Sequence, residues 1–410
     1  MKNHHLVIIL LVITQACKSS HSEIEANTFN SSSDTLVINT KKFKGNSLFP
    51  DRAGYMSFRD FSEWEEELDW FDFELTYPEN MQNAEIGLSG IMLKPIRFYD
   101  KQGSDTIQLN TSRSENIRCI AKGKIDNKEI FIIDDNNNKD FRDDSIRTFQ
   151  KWNWRSDDSL ITYRFTLDLE NSSHQDSGWI KIGQSEGSYL FSTCEHHEGE
   201  FSIDGIQYTI GIVDENSSSF CYFKPAFALI EENGLQRDTL YKNDILAKNE
   251  YIKLGNSYYK INDFYPGSGT IRLTKEKNFE SLTGTQLGAQ APHFTAQTLS
   301  GDTIQSTKLN TEYLLIANMS GCTPRSYDEY GKMIQKLNGK MTIIGMEYKV
   351  PENLGGLLVE IEKDVNQDFY QKYRNAYSSY DCYLIDKDYR IADKFSLFDW
   401  ETHLTQYIEH

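Results

Sequence analysis

The sequence predicts an α+β multidomain protein: an antiparallel β-rich N-terminal region followed by a smaller α/β unit. Three observations carry that prediction. Short β-branched and aromatic runs recur between residues 35 and 280, separated by turn pairs. From about residue 287 the apolar runs alternate instead with segments of helical spacing. The length, 410 residues, suits two or three domains of roughly 100–200 residues each.

Composition excludes several function classes. With 43 basic and 61 acidic side chains the formal net charge is −18, so the chain has no electrostatic reason to seek phosphate backbones, and no nucleic acid partner is expected. Aromatic residues make up 13%, too many for a disordered polymer. The one long apolar run, residues 6–13, is far short of the ~20 residues that span a bilayer.

Residues 1–16 read as a signal peptide. Lys2 gives a basic start, residues 6–13 an apolar core, and Ala16 a small residue before Cys17. With a Cys immediately after Ala16 the segment resembles a bacterial lipoprotein signal, which implies cleavage, acylation of Cys17 and a membrane contact through that lipid. Thr14 and Gln15 stand where that family prefers Leu and a small residue. Lys18 stands where an inner-membrane retention signal would have Asp, so the resemblance implies the outer membrane, facing the periplasm. Residues 17–34, with Ser19, Ser20 and the run 30–33, read as a flexible tether. Removing residues 1–16 takes away Lys2 and no acid, which moves the charge from −18 to −19. Beyond Cys17 the cysteines are Cys119, Cys194, Cys221, Cys322 and Cys382, an odd set that leaves at least one thiol outside any internal disulfide.

Residues 35–280 read as one or two antiparallel sandwiches or barrels. Strand patterns cover residues 35–38, 129–133, 160–165, 208–213 and 270–273, with Asp204-Gly205 and Pro266-Gly267 as turns. A short helical periodicity covers residues 61–71. The strands ending in Asp134 and Asp214 look alike, which would suit a duplicated module.

Two polar runs in this region have two readings each. Asp134, Asn136, Asn138 and Asp140 place side-chain oxygens at alternate positions, as a calcium loop does, but Lys139 replaces the usual Gly and Ser145 the usual Glu. A hydrated acidic turn explains the same residues. Cys194-Glu195-His196-His197-Glu198 holds metal-ligand types, yet neighbouring residues on a strand face opposite ways and no Cys-x-x-Cys completes a site. A polar strand end before the Asp204-Gly205 turn is the alternative, and no metal is expected.

The α/β unit covers residues 285–410. Residues 313–318 read as a buried strand, 324–337 as a helix, 341–346 as a strand, 357–374 as a long helix, 382–386 as a strand and 399–408 as a closing helix. Leu357, Ile361, Val365 and Phe369, four apart, support the long helix. Tyr370, Tyr373, Tyr377 and Tyr380 cover one side of its end, and Asp381, Asp386 and Asp388 read as a solvated turn.

Four segments in this unit carry a resemblance. They are Leu287-Gly288-Ala289-Gln290-Ala291-Pro292-His293-Phe294, the Gly301 hairpin, Gly321-Cys322-Thr323-Pro324-Arg325, and Tyr383-Leu384-Ile385-Asp386 through Ile391. Together they resemble thioredoxin-like proteins of the redoxin and membrane-tethered thiol–disulfide oxidoreductase branch. The resemblance implies a thioredoxin-like domain, with thiol–disulfide oxidoreductase or antioxidant activity and a thiol or disulfide protein as substrate. The redox loop departs from the family pattern. Gly321 replaces its Trp, Arg325 its second cysteine and Tyr380 its cis-proline, and Met319 stands where a peroxidase would have Thr.

Cys322 then has two readings. At a helix N-terminus the backbone N–H groups and dipole favour thiolate, and Arg325 adds a positive charge one turn on. That makes a monothiol nucleophile, with Cys382 as resolver because the fold runs its strand beside the redox loop. No cofactor is required. In the other reading the site is redox-inactive, and the β domains with the C-terminal unit bind an envelope protein or a glycan.

Overall fold

The computed structural model describes residues 27–30, 32–68, 73–90, 98–99, 117–169, 172–215, 220–241, 244–278, 281–319, 324–337, 339–351, 353–373 and 382–408. It is mostly β-strand with few helices, all but one of the described α-helices lying beyond residue 323. Cys17 and the signal segment lie outside the described residues.

The β region forms two sandwiches. In the first, Glu195–Ile203, Ile206–Asp214 and Pro225–Glu232 are the long antiparallel strands of a seven-stranded sheet. Asp204 and Gly205 both take positive φ (50° and 82°), the backbone of a tight I′ hairpin turn, as the Asp-Gly pair predicts. The facing sheet has the order Tyr251–Leu254, Ser257–Tyr265, Thr270–Glu276, Thr35–Asn39. Side-chain alternation turns Leu36, Ile38, Phe201, Ile210, Ile212, Ile261 and Leu273 into the shared core. Residues 27–29, expected within the tether, instead form the strand Asn27–Phe29, paired in parallel with Phe201–Ile203.

The second sandwich packs Ile161–Leu169, Ser172–Ser185 and Ser188–Thr193 against Gln82–Gly90, Ile117–Ile125 and Lys128–Ile133. Ile120, Phe131 and Ile133 face the sandwich core. Their neighbours Cys119, Ala121, Ile130 and Ile132 face the opposite way, under the helix Phe61–Glu67, whose Trp64 and Phe61 cover them. Burial on both faces explains why this strand reads as an unbroken apolar run. The strands ending in Asp134 and Asp214 lie in different sheets.

The C-terminal unit is a five-stranded mixed sheet in the order Leu357–Glu360, Thr342–Glu347, Tyr313–Asn318, Cys382–Asp386, Ile391–Phe395. The first three are parallel to one another, Cys382–Asp386 is antiparallel to the central strand, and Ile391–Phe395 is antiparallel to Cys382–Asp386 and so runs parallel to the first three. The Gly301 hairpin joins Thr295–Gln297 to Thr303–Gln305. One face is covered by the helices Pro324–Leu337 and Trp400–Ile408 through Tyr330, Met333, Leu337, Trp400 and Leu404.

One sequence expectation fails here. Residues 357–374 are not a continuous helix: they are the strand Leu357–Glu360, a 3-10 turn Asp364–Asn366 and the short helix Gln367–Tyr373. Four-residue spacing of Leu357, Ile361, Val365 and Phe369 mimics helix. Pairing of Leu357–Glu360 with Ile344–Glu347 satisfies the backbone of that stretch and buries Leu358 and Val359 on opposite faces of the sheet; Leu357 and Val365 stay exposed.

The other face of the sheet continues into the first sandwich. A single apolar cluster contains Ile316, Ile344, Phe369 and Tyr383 from the α/β unit and Phe49, Val213, Ala226 and Ala228 from the β region. Small Ala side chains on the outer face of the seven-stranded sheet admit this close approach.

Candidate functional site

The carboxyl ends of the parallel strands are where open α/β sheets hold their ligands. Here the central strand Tyr313–Asn318 is buried along its length, and its sequel Met319 donates its backbone N–H to the Met346 carbonyl at 2.9 Å. Residues 320–323, Cys322 among them, lie outside the described residues. The chain resumes in the helix Pro324–Leu337. Proline suits a first helical position, where its missing N–H would have no partner and its φ is already helical.

This helix lays Ser326, Tyr330, Met333 and Leu337 on the sheet. Tyr330 donates from Oη to the Gly355 carbonyl at 3.1 Å, and burial raises its pKa. Arg325 is exposed, its guanidinium 5.3 Å from the Phe398 ring. Glu329 accepts Lys332 Nζ at 2.8 Å and Trp400 Nε1 at 3.4 Å, hydrogen bonds that lower its pKa.

Cys382 lies one strand away from the chain that leads to the loop, paired with Ala317 and Phe395. Its side chain is wholly buried in the cluster of Ala317, Met319, Tyr330 and Met333. The structure thus brings Cys382 and Arg325 to the two sides of one helix, the first beneath it and the second at its exposed start. Tyr373, predicted on a helix face, is buried and donates to the Pro292 carbonyl at 2.6 Å; Tyr377, Tyr380 and Asp381 lie outside the described residues. Asp386 closes a turn by accepting the N–H groups of Asp388 and Arg390, both at 2.9 Å.

Sequence reasoning missed Glu347. It ends the strand next to the one entering the loop, is only 4% exposed, and accepts the N–H of Tyr348 at 2.7 Å. A charged residue closing the otherwise apolar run 341–346 was the available signal.

The remaining thiols are structural. Burial pushes Cys119 up to about 12 and Cys194 up to about 11, and Cys221 is fully buried. Thiols held protonated in this way are inert.

The acidic loop folds on itself. Asp134 is fully buried, accepts the N–H groups of Asn138 and Lys139 at 2.9 and 3.1 Å, and has Lys139 Nζ at 3.6 Å. Asn136 and Asn138 likewise turn their oxygens onto backbone N–H groups, and Asp140 pairs with Arg142. Their oxygens are therefore spent on the loop's own donors, and among the described residues no group of His, Cys, Asp or Glu is gathered to hold a metal ion.

Cys194 to Glu198 opens the strand Glu195–Ile203, which runs into the Asp204-Gly205 turn, but that strand is central and Glu195, His196 and His197 are all buried. The two imidazoles face different partners, His196 the Gly45 carbonyl at 2.7 Å and His197 the Thr40 hydroxyl at 3.0 Å. Desolvation, helped by Lys42 and His196, pushes His197 down to about 3. Desolvation raises Glu195 to about 7, although Lys42 lies 4.0 Å away and Tyr222 donates to it at 3.2 Å.

Among the described residues no helix is long and apolar enough to cross a membrane. No protein-family model and no curated protein matches the chain. Solved structures do resemble part of it. A thioredoxin-like protein from Bacteroides caccae is 17% identical, with a TM-score of 0.24, over 30% of this chain and 50% of its own. This chain therefore spans half the length of that protein. A thiol:disulfide interchange protein from Bacteroides sp. is 19% identical over 32% of this chain and 93% of its own, with a TM-score of 0.26. The thioredoxin domain of a thiol-disulfide oxidoreductase from Bacteroides vulgatus is 18% identical over 30% and 97%, with a TM-score of 0.25. These neighbours are thioredoxin-like, and the likeness is confined to about a third of the chain.

Proposed function

We propose that this chain is an envelope protein, lipid-anchored through Cys17, whose C-terminal thioredoxin-like domain performs single-thiol exchange at Cys322. The observation that carries the reading is the central strand Tyr313–Asn318 followed by the helix Pro324–Leu337, with Cys322 two residues before the helix in sequence. A helix of 14 residues carries the positive end of its dipole at its N-terminus, the end that Cys322 precedes in sequence, and that charge favours thiolate.

The exchange is balanced as follows. The Cys322 thiolate attacks one sulfur of a substrate disulfide, a new S–S bond joins it to that half, and the other half leaves as a thiolate and takes a proton. A second thiolate must then attack the mixed disulfide and release Cys322. Complete burial of Cys382 beneath Tyr330 and Met333 favours a low-molecular-weight thiol from outside as that second reactant.

The test is the pH dependence of Cys322 alkylation in the mature chain without its lipid, followed by mass spectrometry. A midpoint below about 7 supports the nucleophile. A midpoint above about 9, or reaction only on unfolding, overturns it and leaves a redox-inactive fold kept for binding. Cys322→Ser must abolish mixed-disulfide formation. Anchoring at Cys17 is tested separately, by loss of membrane association in Cys17→Ser.

A further inference from the structure

In a chain of net charge −18, three arginines converge on one groove of the second sandwich. It runs along the edge strand Ile161–Leu169, where that strand faces the ends of Ile117–Ile125 and Lys128–Ile133. One lobe, of about 400 Å³, is lined by Arg118, Arg147 and Arg164 together with Ile133, Leu160 and Ile161. A second lobe, of about 500 Å³, shares Arg118, Arg164 and Asp135 with the first. Such volumes fall in the range of small-molecule sites, roughly 300–1,000 Å³.

The carboxylates on the rim are already engaged. Asp135 is paired with Arg147 at 3.0 Å, and Asp176 with Lys42 at 2.8 Å. Arg118 lies over the Tyr163 ring, 5.8 Å from its centroid, and donates to the Arg164 backbone carbonyl at 3.3 Å, which holds its guanidinium against the edge strand that carries Arg164. The guanidinium of Arg164 is exposed and has no carboxylate partner among the described residues. The groove thus offers surplus positive charge in a planar, fork-shaped form beside an aliphatic wall.

We propose that this groove binds a small oxyanion carried on an apolar body, a carboxylate or a phosphate ester. Guanidinium forks engage two oxygens of either group at once, and the half-buried Leu160 and Ile161 take up the attached carbon skeleton. The site is independent of Cys322 and belongs to the β region alone.

The test is calorimetric titration of the full mature chain with benzoate, phenyl phosphate and inorganic phosphate at constant ionic strength. Benzoate or phenyl phosphate binds saturably, and Arg164→Ala weakens it about tenfold or more. Arg237→Ala removes one charge from the first sandwich, where Arg237 pairs with Asp244, and leaves binding unchanged. Preference for phenyl phosphate or for benzoate identifies the anionic group. Absence of saturable binding by all three probes, or equal weakening in both variants, overturns the proposal. Equal affinity for inorganic phosphate and phenyl phosphate overturns its apolar half. Arg164→Gln, with unchanged melting, guards against an unfolded alanine variant.

Discussion

Lys394 Nζ and Glu250 Oε1 lie 3.3 Å apart, and both side chains are almost fully buried, 2% and 8% exposed. Lys394 belongs to the last strand of the α/β unit, whereas Glu250 precedes the strand Tyr251–Leu254 of the first sandwich. The pair joins the two parts where water is excluded, beside Gln286, which accepts the Tyr251 N–H. Glu250 also accepts the Ala247 N–H at 2.8 Å.

Breaking this pair from one side leaves a buried charge uncompensated. Lys394→Met should therefore cost about 3–5 kcal/mol in urea denaturation. Lys394→Met combined with Glu250→Gln should recover much of that loss. Additive losses in the double variant would show that the two residues act independently.

Glu195 and His197 set opposing pH dependences. Glu195 is raised from 4.5 to about 7, so its contribution is full below pH 4.5 and is lost as pH rises through 7. His197 is lowered from 6.5 to about 3; its contribution is full above pH 6.5 and is lost as pH falls toward 3. Between pH 4.5 and 6.5 the two slopes, one proton each, cancel. Relative to the parent chain, Glu195→Gln should make stability rise with pH across that window, and His197→Gln should make it fall. Unfolding titrations at three pH values read both, and identical slopes in all three proteins would refute the assignment.

Thiol labelling should separate Cys322 from the rest. In the native mature chain lacking residue 17, iodoacetamide at pH 7.5 should modify Cys322 alone. Cys119 and Cys194, pushed up to about 12 and about 11, and the fully buried Cys221 and Cys382 should react only in denaturant. Cys382→Ser should then leave mixed-disulfide turnover with an external thiol unchanged; accumulation of the mixed disulfide would instead make Cys382 the resolver.

The acidic loop should hold its shape without calcium. Asp134→Ala removes the acceptor for two backbone N–H groups and the partner of Lys139, and should cost about 1–3 kcal/mol. Calcium at millimolar concentration should leave the Tm of the parent chain unchanged. A calcium-dependent rise that Asp134→Ala abolishes would show that the loop rearranges around the ion.

Much of the architecture was legible because it is written in local chemistry. The strand Tyr313–Asn318, the helix Pro324–Leu337 and the strand Cys382–Asp386 each carry a short-range signal: a buried apolar run, a proline at the first helical position, a second apolar run before an Asp turn. Residues 357–374 were misread because a four-residue apolar spacing has the same appearance whether the residues wind into one helix or divide between a strand, a 3-10 turn and a short helix. The neighbouring strand Thr342–Glu347, already parallel to the centre of the sheet, supplied the pairing that decided the matter.

The candidate site divides in the same way. The sequence alone determined that Cys322 lies between an apolar strand run and a helix that begins at a proline, with Arg325 three residues on. Burial was decided only by the tertiary structure. Glu195, His196 and His197 look like a polar strand end in sequence, yet Phe43 stacks on His196, Tyr222 and Phe264 enclose His197, and Tyr222 and Gly178 lie against Glu195; that burial moves the pKa values of Glu195 and His197. Arg118, Arg147 and Arg164, far apart in the chain, become one groove because two sheets meet there. Charge and hydropathy are properties of a residue, whereas desolvation and convergence are properties of its neighbours, and those neighbours are fixed only when distant strands pair.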